Sequence, residues 1–173
     1  MLQDISTFNK LQDYLPMLNG SIMADIIILL IVYYTPYFNS SMLMKWYEDY
    51  RLSAVIADVL ILVIGLIITR YIYTKLGLKW NIFIFLVILL GVQIIHDYLF
   101  YIFFSSLPRG VNKMLDVFKD YAKEVNYGAI LGDSFMIVIA ALLSSYFANL
   151  SLHGNLILLI CSVYLIPYIL YTR

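Results

Sequence analysis

Five long apolar stretches restrict what this 173-residue chain can fold into. They cover residues 21–38, 52–73, 80–104, 127–148 and 155–171, and each is close to the roughly 20 residues that an α-helix needs to cross a bilayer. Hydrophobic residues make up 63% of the chain and charged residues 13%, whereas a soluble domain is nearer half apolar. We therefore predict an all-α integral membrane protein, a helical bundle of about five transmembrane helices.

The residues before the first span have a different character. Residues 1–20 lack the basic start and the apolar stretch of a secretory signal. Ile5, Phe8, Leu11 and Leu15 recur at helical spacing among polar residues, which predicts a short helix lying at the membrane surface. We expect residues 21–173 to form a single transmembrane domain with no internal repeat.

A second amphipathic segment covers residues 111–125, after the turn signal Pro108-Arg109-Gly110. Its apolar residues keep helical spacing and its charged residues fill the opposite face, which predicts an interfacial helix. Between the first two spans, the cluster of Trp46, Tyr47 and Tyr50 is typical of an aromatic belt at the same membrane surface.

Lysine and arginine are distributed unevenly between the two sides of the threaded chain. The side reached at the end of the first span, which we call side B, holds seven of them, and the opposite side A holds four. The positive-inside rule places side B in the cytoplasm, together with the 105–126 loop and the C-terminus. The side B residues are Lys45, Arg51, Arg109, Lys113, Lys119, Lys123 and Arg173, and the side A residues are Lys10, Arg70, Lys75 and Lys79.

Three of the apolar stretches carry a carboxylate at a similar depth. Counted from the side B ends of the spans, Asp58 lies six residues in, Asp97 seven and Asp133 six, which is roughly 9 to 10 Å at the helical rise. An acid in hydrocarbon is costly and usually faces the bundle interior, a water-filled cavity or a partner. We therefore predict one buried polar cluster that serves as a proton or ligand site and is formed by Asp58, Gln93, His96, Asp97, Tyr101 and Asp133.

Small residues follow one another at helical spacing along the fourth span. Such residues let helix backbones approach closely, so we predict that this face packs against another helix. We further expect it to carry the self-association of the chain into a homo-oligomer. The predicted packing residues are Gly128, Gly132, Ala140, Ser144 and Ala148.

The polar cluster leaves several functions open. Interhelical hydrogen bonds that only fix the bundle are one, and proton or ion handling by Asp and His is another. A metal-dependent intramembrane enzyme is a third, with Asp58, His96 and Asp133 as weak ligand candidates. Leu131-Gly132-Asp133 resembles the end of the GxGD motif of presenilin-like proteases, but Ile130 stands where that motif has its first glycine. We predict no catalytic residue and no cofactor.

Four stretches of the chain resemble a family of small multi-pass membrane proteins encoded by large nucleocytoplasmic DNA viruses. They read YRLSAVIAD at 50–58, HDYLFY at 96–101, FKDYAKEV at 118–125 and AILGDS at 129–134. The resemblance covers most of residues 45–172 and implies a host internal membrane or a virion membrane, with no assigned activity.

The leading expectation is therefore a structural or assembly component of a viral membrane, whose partner is the lipid bilayer. A formal net charge of zero gives no indication of a nucleic-acid partner. The alternative is a proton-coupled channel or small transporter that uses the Asp/His cluster.

Overall fold

The predicted all-α class is confirmed by the computed structural model, which describes residues 2–38 and 40–172. The predicted side B cation Arg173 lies outside these residues. Five of the helices in the described ranges are long and apolar enough to cross a membrane. The helices are α1 (Tyr14–Tyr34, preceded by a 3₁₀ turn at Leu11–Asp13), α2 (Ser41–Tyr50), α3 (Leu52–Lys75), α4 (Ile82–Ser106), α5 (Lys113–Val125), α6 (Gly128–Phe147) and α7 (Leu152–Leu170), of which α2 and α5 are the short ones.

The outer surface of the long helices is apolar. On α4, Phe83 and Val87 are at least 70% exposed, and on α7 Ile157 and Ile160 are more than 60% exposed. Large exposed apolar areas of this kind are rare on soluble monomers, whereas lipid covers them without cost. The bundle is therefore built to have lipid around it.

The first helix differs from its predicted position. It begins at Tyr14, well before the predicted start at residue 21, and ends at Tyr34. The predicted surface helix in residues 1–20 is also wrong, because the described residues before the 3₁₀ turn contain no helix and Ile5 is fully buried. Side chains of the bundle satisfy this segment's backbone instead: the Thr74 hydroxyl donates to the Ser6 carbonyl at 3.0 Å.

Arg70, predicted to be a side A surface cation, is fully buried in α3. Its guanidinium donates to the carbonyls of Thr7 and Lys10, lies 3.3 Å from an Asp13 carboxylate oxygen and stacks over the Tyr14 ring. Because a buried charge is stable only when it is paired and hydrogen-bonded, these contacts fasten the N-terminal segment to the bundle.

The order of span, interfacial helix and span occurs twice, first in α1–α2–α3 and then in α4–α5–α6. In each unit six residues separate the first span from the interfacial helix, and a proline is the second of these six (Pro36 and Pro108). The sixth residue caps the interfacial helix, because the side chains of Ser40 and Asn112 accept hydrogen bonds from backbone amides of its first turn. We call the two units the first and second repeat.

The corner between interfacial helix and second span is also the same in both repeats. Arg51 has φ 46° and ψ −120°, and Asn126 has φ 50° and ψ −122°. Positive φ is unfavourable for residues other than glycine, so two such corners at equivalent positions reflect one shared turn geometry. This corner sets the direction in which each second span re-enters the bundle.

The two second spans match beyond the corner. Thr69 in α3 and Ser144 in α6 are both fully buried, and each hydroxyl donates to the carbonyl four residues earlier, of Gly65 and Ala140. Counted from the corner residues, Thr69 and Ser144 occupy the same position, 18 residues on.

The helix contacts of the two repeats correspond to one another. α1 packs on α3 and α6, α4 packs on α6 and α3, and α2 packs against α5. Trp46 of α2 and Phe118 of α5 occupy equivalent positions, and their rings meet with centroids 4.8 Å apart. Helix order and turn geometry therefore repeat although no repeated pattern is visible in the sequence, and α7 is an additional span packed on α1.

The small-residue face of α6 packs within the chain. Gly20 of α1 lies so close to Ala140 and Ser144 that a Cβ atom at Gly20 would stand 2.7 Å from the Ala140 carbonyl oxygen. Ala140 and Ser144 are fully buried, so the prediction that they carry self-association is wrong, because α1 already covers them. Gly128 is exposed, and Gly132 and Ala148 are half-buried.

Candidate functional site

A cavity of about 680 Å³ lies between the two repeats, toward side B. Helices α2 to α6 all contribute to its wall, together with Ile28 of α1. All six residues of the predicted polar cluster line this cavity, but the prediction that they are buried is only partly correct. Gln93 is buried and Tyr101 is exposed, because the cavity reaches the surface of the molecule, and the others are half-buried: Asp58, His96, Asp97 and Asp133.

The carboxylates occupy equivalent positions in the two repeats. Asp58 and Asp133 each follow the corner residue of their repeat by seven positions, and Asp25 and Asp97 each precede the end of their helix by nine. At the helical rise the first pair lies roughly 8 to 9 Å from the side B helix ends and the second pair roughly 14 Å. Each of the four core spans therefore brings one acid, and the depths are more spread than the sequence count predicts.

Asp58 is held by two aromatic side chains of the interfacial helix α2. Trp46 Nε1 donates to Asp58 Oδ2 at 3.0 Å, and the Tyr47 hydroxyl lies beside the same carboxyl. Both donors come from a helix that lies across the end of the cavity, so α2 is part of the site.

Asp25 continues this hydrogen-bonded chain into the bundle. The Tyr47 hydroxyl donates to Asp25 Oδ1 at 2.9 Å, which places Tyr47 between Asp25 and Asp58. Asp25 is fully buried, and its second oxygen has no hydrogen-bond partner in the described part of the chain. Burial, together with the carboxylates of Asp25 and Asp58, raises the pKa of Tyr47 well above its usual value. Tyr47 is thus a proton donor between two acids.

Asp97 has its partners on its own helix. Gln93 Nε2 donates to Asp97 Oδ1 at 2.6 Å, and His96 Nδ1 lies 3.2 Å from the same oxygen. Tyr101, one turn further along α4, packs its ring edge-on against Phe104. Asp97 Oδ2 consequently has no hydrogen-bond partner among the described residues.

Asp133 faces the cavity from α6. No hydrogen bond from a described residue reaches its carboxyl, and its electrostatic neighbours are Asp97 and Asp58. The three cavity carboxylates therefore interact with one another across the open space, as groups of like charge.

Aromatic side chains form much of the remaining wall. Trp46, Phe100, Phe104 and Phe118 make a connected cluster, in which the Phe100 and Phe118 rings meet edge-on with centroids 5.2 Å apart. The exposed side chains of Tyr98, Tyr101 and Tyr127 also line the cavity, so its rim reaches the surface of the molecule.

The charge of the cavity wall is one-sided. Among the described residues that line it, none is lysine or arginine, and His96 is the one basic side chain. The negative charge of the wall also acts on Tyr121 of α5. Its pKa is raised above its usual value, mainly by burial and to a smaller extent by the carboxylates of Asp133 and Asp58.

A metal centre finds no support in this geometry. Within the described residues, no three His, Cys, Asp or Glu side chains lie close enough together to hold a metal ion. Asp58, His96 and Asp133, the weak ligand candidates, share the cavity wall without forming such a group.

Sequence reasoning missed Asp25, Trp46, Tyr47 and Tyr121 as members of the site. The predicted span of residues 21–38 has Asp25 near its start, whereas α1 begins at Tyr14 and places Asp25 in the middle of the helix. Trp46 and Tyr47 were assigned to an aromatic belt, although Ser40 before an apolar and aromatic pattern is a signal for a capped helix.

Comparison of the chain with protein-family models, with curated proteins and with solved structures finds no match. The resemblance to viral membrane proteins stays a prediction.

Proposed function

We propose that this protein is a small proton-coupled transporter, in which the cavity between the repeats binds protons and a cargo in turn. The observation that carries the proposal is the position of the cavity: it lies at the interface of two structural repeats and is walled by acids at equivalent positions. Many transporters are built from repeats related by an axis along the membrane normal, with the substrate and coupling-ion sites at the repeat interface.

The size of the cavity favours this function over polar contacts that only stabilise the bundle. Interhelical hydrogen bonds of that kind need helices in contact, whereas Asp133 faces open space without a hydrogen-bond donor. Protein interiors are close-packed, and empty space costs stability, so a cavity of about 680 Å³ is expected to have an occupant.

The chain Asp58, Tyr47 and Asp25 supplies a route for protons. Intramembrane acids and hydroxyls that hydrogen-bond in series form relays in pumps and transporters. Asp58 faces the cavity and Asp25 is sealed from it, so a proton taken up at the cavity can be stored away from the cargo site.

Reconstituted protein in liposomes tests the proposal. With a pH gradient imposed and a pH-sensitive dye inside, a panel of cationic, neutral and anionic solutes is added outside. At least one solute is expected to accelerate proton movement, and Asp58→Asn, Asp97→Asn and Asp133→Asn are expected to abolish the effect. The exposed carboxylate of Asp49, next to the site but outside the cavity wall, gives the matched control Asp49→Asn.

The structural role in a viral membrane is the competing proposal. If no solute moves protons, and each cavity variant changes only the thermal stability of the protein, the transporter proposal is wrong and the structural role is favoured.

A further inference from the structure

We propose that the cargo of the cavity is a lipophilic organic cation, such as a quaternary ammonium or phosphonium ion carrying apolar groups. This inference rests on the proposed function, because it names the substrate class of the same cavity. It is carried by three features of the wall: its charge, its aromatic rings and its opening.

The charge of the wall calls for a positive ligand. Asp58, Asp97 and Asp133 reach the cavity from three different helices, and no lysine or arginine of the described residues lines it to neutralise them. Asp97 Oδ2 and the Asp133 carboxyl have no hydrogen-bond donors from the described chain. These half-buried acids lack donors on the protein, so a cation between them supplies the missing partner.

The aromatic rings select an organic cation over a small metal ion. A cation is attracted to the face of Trp, Tyr or Phe within about 6 Å of the ring centre, and this is how proteins recognise quaternary ammonium groups. Trp46, Phe100 and Phe118 line the same cavity as the carboxylates, whereas Mg²⁺ or Ca²⁺ would require a shell of oxygen ligands. The described residues contain no group of ligands suited to a metal ion.

The size and opening of the cavity fit an apolar ligand that arrives through lipid. Its volume of about 680 Å³ is within the range of roughly 300 to 1,000 Å³ found for sites of drug-sized molecules. Tyr98 and Tyr101 form part of the rim and belong to α4, which has little of its length buried. A lipophilic cation can therefore enter from the bilayer without crossing water.

Proton coupling follows from competition for the same carboxylates. A bound cation favours ionised acids, and protonation of those acids removes the charge that holds the cation, so exchange of one proton for one cation keeps the charge of the site constant. Acidification is thus expected to weaken binding. The titratable groups that line the site come from five helices and one turn: Tyr47 on α2, Asp58 on α3, His96, Asp97, Tyr98 and Tyr101 on α4, Tyr121 on α5, Asp133 on α6, and Tyr127 just before α6. Asp25 on α1 is connected to the site by its hydrogen bond with Tyr47.

Two ions of matched shape and opposite charge test the inference. Binding of tetraphenylphosphonium and of tetraphenylborate to the full chain in detergent micelles is measured by equilibrium dialysis, with empty micelles as background. We expect saturable binding of the phosphonium alone, weakened about tenfold or more by Asp58→Asn or Asp133→Asn and unchanged by Asp49→Asn. Equal binding of both ions, or phosphonium binding that is insensitive to the cavity variants, overturns the inference.

A second measurement does not depend on variants folding. Tetraphenylphosphonium has no titratable group, so a change in its binding with pH reports the protein. Binding to the unaltered chain is expected to fall on acidification, and binding that is constant or rises overturns the inference. If an anionic or neutral solute instead drives proton movement in liposomes, the transporter proposal stands and the cation assignment fails.

Discussion

Tyr47 illustrates how one hydroxyl can lie between a buried acid and an acid of the cavity wall. It donates to Asp25 at 2.9 Å and lies beside Asp58, while its ring packs edge-on against Tyr33. Asp25 has no other hydrogen-bond partner in the described chain, so its burial depends on this phenol. The residue therefore serves the stability of the bundle and the proposed proton route at once.

Tyr47→Phe is expected to lower the free energy of unfolding by about 1–3 kcal/mol, because it leaves the Asp25 carboxyl buried without a donor. The measurement is denaturant unfolding in mixed micelles. Tyr50→Phe is the control, since Tyr50 is on the same helix and its ring also contacts Trp46. A loss in Tyr47→Phe no larger than the loss in Tyr50→Phe would contradict the stabilising role of the hydrogen bond from Tyr47 to Asp25.

At this scale the sequence predicts the acids better than their partners. Asp58, Asp97 and Asp133 are conspicuous because each interrupts an apolar stretch, and counting along helices brings them to one region. Tyr47 carries no such signal, because a tyrosine near a membrane surface is ordinary. Its role depends on where α2 lies against α1 and α3, which only the tertiary structure fixes.

The contact of α1 with α6 is the most extensive between helices, and Gly20 makes it possible. Gly20→Ala is expected to lower the free energy of unfolding by about 1–3 kcal/mol, because the added Cβ would meet backbone atoms of Ala140 and Ser144 that cannot turn aside. Gly91→Ala in α4 is the control: nothing lies within 4 Å of a Cβ there, so its stability should stay within about 1 kcal/mol of the parent.

Denaturant unfolding of both variants in the same micelles makes this comparison. A Gly20→Ala protein as stable as the Gly91→Ala protein would contradict the close packing of α1 on α6.

The predicted elements agree with the structure where hydropathy defines a span, and differ from it where polar residues are buried inside the bundle. Apolar length alone locates the later four spans, with α3 beginning at Leu52 as expected. The first span is misplaced because Asn19, Ser21 and Asp25 interrupt its apolar pattern, although all three are buried in the bundle. In the helix interior, Asn19 donates to the backbone and side chain of Asn155 in α7, a compensation that no local pattern reveals.

The repeat is visible only in the whole molecule. Its two copies share a few positions, such as the proline after the first span, the corner and the acids, while most other positions need only be apolar toward lipid. Because any large apolar residue meets that need, the two copies can diverge until no periodic pattern is left in the sequence. Helix order, turn geometry and packing partners retain the relationship.

A repeat of this kind requires both interfacial helices to lie on the same side of the membrane. Lys45 of α2 and Lys113 of α5 are exposed, and Lys79, between α3 and α4, is exposed at the opposite end. Single cysteines at these positions, in a Cys161→Ser background, can be labelled with a charged maleimide in intact cells and after lysis. We expect Lys79→Cys to react in intact cells, and Lys45→Cys and Lys113→Cys to react together only after lysis, because the excess of basic residues places side B in the cytoplasm. If all three positions react with the opposite sidedness, the predicted orientation is wrong and the repeat still holds. If Lys45→Cys and Lys113→Cys react on different sides of the membrane, the repeat itself is contradicted.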